Sequence, residues 1–169
     1  MTLLEKIEAA NASVQPSDLE VRVARVSKDE TWAELLVYKT ARVDMHLLDR
    51  FIGPEKWNVR FEVYNGSQTT VVKATLSVDD GDASLIREGL SAVEGTDANA
   101  VKAAESDAFK RAGFALGLCR FLYDLPKIFV KLEKGEAQKV SSYGYFKLTS
   151  IKPLIVVDRN GKVRYEEKL

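Results

Sequence analysis

The chain has 169 residues, a length that suits one domain able to bury a core without disulfides. With 46% hydrophobic and 30% charged residues it has the composition of an ordinary soluble protein. Its 25 Lys and Arg balance 25 Asp and Glu, which excludes a polycation that coats nucleic acid with its whole surface, so any anion site must be a local patch.

Leu3, Leu4 and Ile7 predict a short amphipathic helix over residues 3–10, broken by Gln15-Pro16-Ser17-Asp18. Leu19, Val21 and Val23 then alternate with Glu20, Arg22 and Ala24 at the period of a strand. Lys28-Asp29-Glu30 reads as a turn and Trp32–Tyr38 as a second strand. Over Ala41–Phe51 the spacing turns helical, with Val43, Leu47, Leu48 and Phe51 on one face, and Gly53-Pro54 ends it. Trp57–Tyr64 and Thr69–Val78 flank Asn65-Gly66 and predict a hairpin, its tight turn built on the positive φ that Asn-Gly accepts. Val59, Phe61 and Val63 share one face of the first strand; Val72, Ala74, Leu76 and Val78 share one of the second. Asp79-Asp80-Gly81-Asp82 reads as a solvated turn. Ser84–Val93 follows as a strand in which Gly89 predicts a bulge or bend.

Thr96 or Asp97 is placed to cap the main helix. Along that helix Val101, Ala104, Ala108, Ala112, Ala115 and Cys119 form one narrow stripe, mostly alanine, so a neighbouring strand can come close. Lys110, Phe114, Asp107, Leu118 and Arg111 occupy the adjacent arc, and Gly113 and Gly117 weaken the helix and place its end near Gly117. Beyond Pro126, Ile128–Leu132 reads as a strand or short helix and Gly135–Ser142 as a loop. Tyr143–Leu148 and Leu154–Val157 read as strands, and Asn160-Gly161 turns a second hairpin into Lys162–Tyr165. Strands, one dominant helix, then more strands predict an α+β fold: a twisted antiparallel sheet and hairpins packed against one main central helix, in a single domain over residues 1–169.

The lone cysteine, Cys119, excludes an internal disulfide and fits a reducing compartment. The opening MTLLEKIEAANAS carries early acids, unlike a secretory signal, and no apolar run approaches the roughly 18 residues that span a bilayer. A cytoplasmic location without membrane association is expected. One histidine and one distant cysteine do not make a zinc site; His46 reads as a surface residue and Cys119 as a buried packing residue. Asp79, Asp80 and Asp82 lack a glutamate at calcium-loop spacing. There is no Gly-x-Ser-x-Gly elbow, phosphate loop or Gly-x-Gly-x-x-Gly. The chain is therefore expected to be no enzyme and to need no cofactor or metal.

What stands out is Lys110-Arg111, three residues after Asp107 on an alanine-rich helix. One reading is an internal ion pair from Asp107 to Lys110 at i+3 and Arg111 at i+4, worth a few tenths of a kcal/mol. The other is contact with nucleic acid: Lys102, Arg120 and Lys127 add charge, and Phe109, Phe114, Phe121 and Tyr123 add rings that either stack on bases or fill the core.

Lys102–Leu125, KAAESDAFKRAGFALGLCRFLYDL, resembles the signature helix of the Rad-fifty-two family of single-strand annealing proteins and its phage relatives. Two further segments, in the same order and spacing, are similar to that family. One is Tyr38-Lys39-Thr40-Ala41-Arg42-Val43 with Leu48-Asp49, Phe51, Gly53 and Trp57; the other is Arg87-Glu88-Gly89-Leu90-Ser91-Ala92-Val93-Glu94-Gly95. Together they cover roughly residues 32–126. The resemblance implies a protein that binds single-stranded DNA and anneals complementary strands in recombination and repair, without ATP or metal, as a homo-oligomeric ring or filament of a phage-type recombination protein. It implies that Lys110 and Arg111 contact phosphates in an inner groove, that Arg42 is a groove arginine on the preceding helix and that Lys102 is a further basic position; Arg120 joins this DNA-binding set by its charge. Phe114 departs from the pattern, since some members carry another arginine there. Expected partners are single-stranded DNA and further copies of the chain, with a host single-stranded-DNA-binding protein as a candidate, and residues 127–169 are expected to supply subunit contacts. The residues alone leave three rivals open: a monomeric double-stranded RNA-binding module, a metal-dependent nuclease using Asp79, Asp80 and Asp82, and a scaffolding protein.

Overall fold

The structure, a computed structural model, describes residues 1–141 and 144–168. In chain order its elements are helix α1 (Leu3–Ser13), strands β1 (Leu19–Val26) and β2 (Trp32–Lys39), helix α2 (Ala41–Phe51), strands β3 (Trp57–Asn65), β4 (Thr69–Asp79) and β5 (Ser84–Glu94), helix α3 (Ala98–Leu116), strand β6 (Ile128–Lys131), helix α4 (Ala137–Val140), and strands β7 (Phe146–Ser150), β8 (Ile155–Asp158) and β9 (Val163–Glu166). The strands form three antiparallel sheets, ordered β1-β2-β6, β3-β4-β5 and β7-β8-β9. The α+β expectation is met. The chain gathers into two compact units, one from Met1–Val14 and Thr40–Arg120, the other from Gln15–Lys39 and Phe121–Leu169.

In the first unit α1 begins on a reciprocal cap: the Thr2 hydroxyl accepts from Glu5 N–H, and the Glu5 carboxylate accepts from Thr2 N–H. The helix runs to Ser13, three residues past its expected end, and buries Leu3, Ile7 and Ala10. α2 has the predicted limits. Its buried face is Asp44, Leu47 and Leu48, with Val43 and Phe51 only half-buried.

β4 is the middle strand of its sheet and buries every second residue: Thr70, Val72, Ala74, Leu76 and Val78. Opposite them in register stand Val59, Phe61 and Val63 on β3, and Gly89 and Ser91 on β5. α3 packs over this face. Two sequence expectations fail here. The β3–β4 loop is Gly66–Gln68 rather than a two-residue turn, and neither Asn65 nor Gly66 takes a positive φ. Asn65 stays in the ladder opposite Thr70, and Gly66 N–H closes the loop on Thr69 O at 2.8 Å, so a longer loop replaces the strained one. Gly89 marks no bulge: the β4–β5 ladder is unbroken from Thr69–Glu94 to Asp79–Ser84. A Cβ on Gly89 would lie 2.1 Å from Ala108 O and 2.5 Å from Ala112 N. The glycine is there because α3 crosses the strand at that point.

Asp97 caps α3, accepting from Asn99 N–H at 2.9 Å and Ala100 N–H at 2.8 Å. Ala100, Ala104, Ala108 and Ala112 form the buried stripe, widened by Phe109, Gly113 and Leu116, whereas Val101 and Ala115 are half-buried. Gly117, at φ +117, ends the helix. Asn11 of α1 seals this exit by donating to Gly117 O at 3.0 Å and accepting from Cys119 N–H at 2.7 Å. Cys119 is buried, as expected, just beyond the helix. The 79–82 turn is less solvated than expected: Asp80 is buried, pairs with Lys6 at 2.9 Å and accepts from the Asp82 and Ala83 amides. The Lys6 hydrogen bond is the main cause that brings its carboxyl down to about 2.

In the second unit β6 is a strand, resolving the strand-or-helix alternative. The stretch expected as a loop contains α4. Ser142 and Tyr143 lie outside the described residues, and the strand predicted from Tyr143 begins at Phe146. Gly161, at φ +80, turns β8 into β9 as expected. The buried Arg164 holds this end together: it reaches Glu136 at 2.7 Å and Asp158 at 3.4 Å, and donates to Lys131 O.

Candidate nucleic-acid interface

The first unit carries all five sequence-predicted contact residues, and its packing fixes their helices. At the C-terminal end of α2, Asp49 accepts from Trp57 Nε1 at 2.9 Å. The Trp57 ring stacks on Phe109 of α3, centroids 6.0 Å apart and planes at 25°. Further along α3, a Cβ on Gly113 would come within 2.6 Å of Asp44 Oδ2, so glycine is needed where α2 and α3 meet. α2, β3 and α3 are thus tied by one polar and two close-packed contacts.

Lys110 and Arg111 both bond to Asp107, Lys110 Nζ at 3.5 Å from Oδ1 and Arg111 Nε at 2.8 Å from Oδ2. The internal pair foreseen as the plain reading therefore exists, and it coexists with exposure: the Arg111 side chain is 59% exposed and that of Lys110 24%. Burial raises the Asp107 carboxyl, yet hydrogen bonds from Arg111 and Ser91, with the charges of both cations, outweigh it and hold the group below its usual range. Arg111 leaves the helix directly above Gly89, its Cβ 2.8 Å from where a Cβ there would sit. Two charges of one sign and one of the other thus give this part of α3 a net positive face able to meet a phosphate oxygen.

Arg42 is exposed in the first turn of α2, where the helix dipole adds positive potential. It lies two residues, about 200° of helical rotation, from Asp44, and so on the side of α2 turned away from Gly113. Lys102 is exposed but nine residues before Arg111, about 180° round α3. The structure does not bring these two together. Arg120 is exposed and occupied: it donates to Phe114 O at 2.9 Å and Ala115 O at 3.0 Å, capping the open carbonyls of α3. Of the rings, Phe109 is core at 1% exposure, Phe114 and Phe121 are half-buried and Tyr123 is exposed.

Sequence reasoning missed Gly89 and Ser91. The signal available for Gly89 was a glycine in mid-strand facing an alanine stripe, the pattern of a close strand–helix crossing; Ser91 carried no local signal. The nuclease alternative loses a ligand, because Asp80 is buried against Lys6. Among the described residues no group of three or more His, Cys, Asp or Glu is arranged to hold a metal ion, and none of the helices is long and apolar enough to cross a membrane.

The model of the Rad52/22 family double-strand break repair protein matches residues 5–141, from α1 through α4. The chain belongs to this family. Two curated relatives are single-stranded DNA-binding proteins DdrA. That of Deinococcus deserti is 34% identical over 116 residues, 69% of this chain and 55% of that protein. That of Deinococcus radiodurans is 39% identical over 105 residues, 62% of this chain and 48% of that protein. The chain spans about half the length of these relatives. The Rad52/22 match extends beyond residues 32–126 on both sides, taking in α1, β1 and β6, and both cation-bearing helices lie within it.

Proposed function

We propose that this Rad52/22-family chain binds single-stranded DNA through its phosphate backbone and pairs complementary strands in recombination and repair, in the cytoplasm, without ATP or metal. The observation that carries the reading is the Lys110-Arg111 pair, Arg111 exposed and Lys110 half-buried, on a helix inside the family match. Relatives that are single-stranded DNA-binding proteins support it. Lys110 and Arg111 hold phosphates; Arg42, exposed at the start of α2, is a further cation of the same unit, whereas Lys102 lies on the far side of α3 from Arg111 and Arg120 is committed to the carbonyls at the end of α3. Contacts of this kind carry no base code, so sequence preference is slight and affinity falls steeply with salt.

A neutral chain binds DNA weakly through one small patch. Copies assembled in a ring or filament present that patch repeatedly, and multivalency then supplies the affinity. Self-assembly, through the strands after residue 127 among others, is part of the proposal.

The test is a fluorescence assay of complementary-oligonucleotide pairing without ATP or divalent ions, paired with mass determination of the assembly. Acceleration over the spontaneous rate by an oligomer is the expected result. A monomer that leaves the rate unchanged refutes the proposal.

A further inference from the structure

Asp107 is an odd residue to find at the centre of a phosphate contact. It lies 2.8 Å from Arg111 Nε and 3.5 Å from Lys110 Nζ, so an incoming phosphate must approach both cations beside a carboxylate they already hold. Nor is the acid a loose surface group. Ser91, only 4% exposed, sits on β5 two residues past Gly89, close to the point where helix and strand nearly touch, and it helps hold the Asp107 carboxyl below its usual range. The Asp107 side chain remains 36% exposed. The two cations therefore hold the carboxylate while leaving it open to the ligand. An i,i+4 pair on a helix surface adds little to stability, so folding alone gives weak reason for an acid here. Its electrostatic effect on a bound anion is larger, because opposite charges at this range largely satisfy the cations before the ligand arrives.

We propose that Asp107 is a built-in competitor of the DNA phosphate, which aligns Lys110 and Arg111 and at the same time limits their grip on the strand. This rests on the function proposed above. A protein that pairs strands must let a bound strand shift and leave, and a fixed carboxylate under each phosphate contact keeps that exchange fast, however many copies of the chain line up. Asp107 is a positioning residue in this role, acting through the two cations.

The test compares wild type with Asp107→Asn, which keeps the shape and removes the charge, for binding a fluorescein-labelled oligothymidylate over a range of salt. Asp107→Asn is expected to bind about three- to tenfold more tightly at low salt, as the loss of two surface ion pairs implies, and to dissociate more slowly. Its log–log salt dependence should also steepen, by up to about 0.7 per phosphate newly neutralised. Asp107→Glu, which retains the charge, should keep the wild-type slope. A purely structural acid would give weaker binding and a lower melting temperature with no steepening. Wild-type affinity and slope, or weaker binding, in Asp107→Asn overturns this inference alone. If wild type itself does not bind the oligothymidylate, the proposed function falls and this inference falls with it. Should Asp107→Asn fail to fold, Asp107→Ser carries the same comparison.

Discussion

Replacing Gly89 by alanine tests the contact on which the position of Arg111 depends. The added Cβ would sit 2.1 Å from Ala108 O, against an ordinary C···O approach of about 3.3 Å. It would also stand 2.5 Å from Ala112 N and 2.8 Å from Arg111 Cβ. Two of these three neighbours are helix backbone, which cannot swing aside, so α3 must lift from β5 by roughly 1 Å over this turn. Overfilling a packed contact costs about 1–3 kcal/mol, and a backbone clash belongs at the top of that range. Gly89 lies outside the positive-φ residues, so alanine suits its conformation and recovers about 0.4–1 kcal/mol through the unfolded chain. The net loss is about 2 kcal/mol, and with a urea slope of about 1–3 kcal/mol/M the midpoint falls by about 1 M. The readout is Trp57 fluorescence in a Trp32→Phe background, since Trp57 then is the only tryptophan and stacks on Phe109 of the displaced helix. Oligothymidylate binding should weaken in the same variant. Gly66→Ala is the control: its Cβ meets only Thr69 O at 3.4 Å and its φ is not positive, so its midpoint should hold or rise slightly. A Gly89→Ala midpoint equal to wild type would refute the close crossing of α3 over β5.

Converting Lys110 and Arg111 together to alanine should abolish strand binding with a melting temperature near wild type, because the pairs lost are surface pairs; unchanged affinity in a filter or anisotropy assay speaks against the assignment. Asp97→Ala removes the acceptor for two amides at the start of α3 and should cost about 1 kcal/mol in urea unfolding. In the second unit Arg164 chiefly, with lesser help from the Glu133 amide side and Tyr145, holds the Glu136 carboxyl at about 2 against an ordinary 4.5. A depressed carboxylate stabilises fully above its unfolded value, so the contribution is intact above about pH 4.5 and is lost as pH falls through 2. Glu136→Gln should cost about 3 kcal/mol at neutral pH by leaving the buried guanidinium with Asp158 as its remaining carboxylate partner, and should flatten the acid limb of a Trp32-monitored titration.

Local rules made much of the fold legible. The limits of α2 follow from its helical spacing and Gly53, the ladder of β4 from strict alternation, and the start and end of α3 from Asp97 and Gly117. Each is settled by residues a few positions apart. The misreadings were of another kind. Gly89 looked like a bulge and Gly113 like a weak point, because a glycine's reason can lie on a partner twenty or seventy residues away. Asp80 looked solvated because Lys6 is 74 positions distant. Asp107, Lys110 and Arg111 form a cluster legible from spacing alone, whereas Ser91 on the neighbouring strand, which lowers the Asp107 carboxyl, leaves no local trace.

Taken by itself, the order of residues determined the class of the fold, the extents of its main elements and the charged pair on α3, since periodicity, caps and i,i+4 spacing act over one or two turns. Only tertiary structure decided which cations remain available. It committed Arg120 to the carbonyls at the end of α3, set Lys102 on the far side of the helix from Arg111, and seated Arg111 over Gly89 with Asp107 held beside it. The physical reason is that a side chain's charge is written in its identity, whereas its exposure and its partners depend on which distant backbone the fold brings against it.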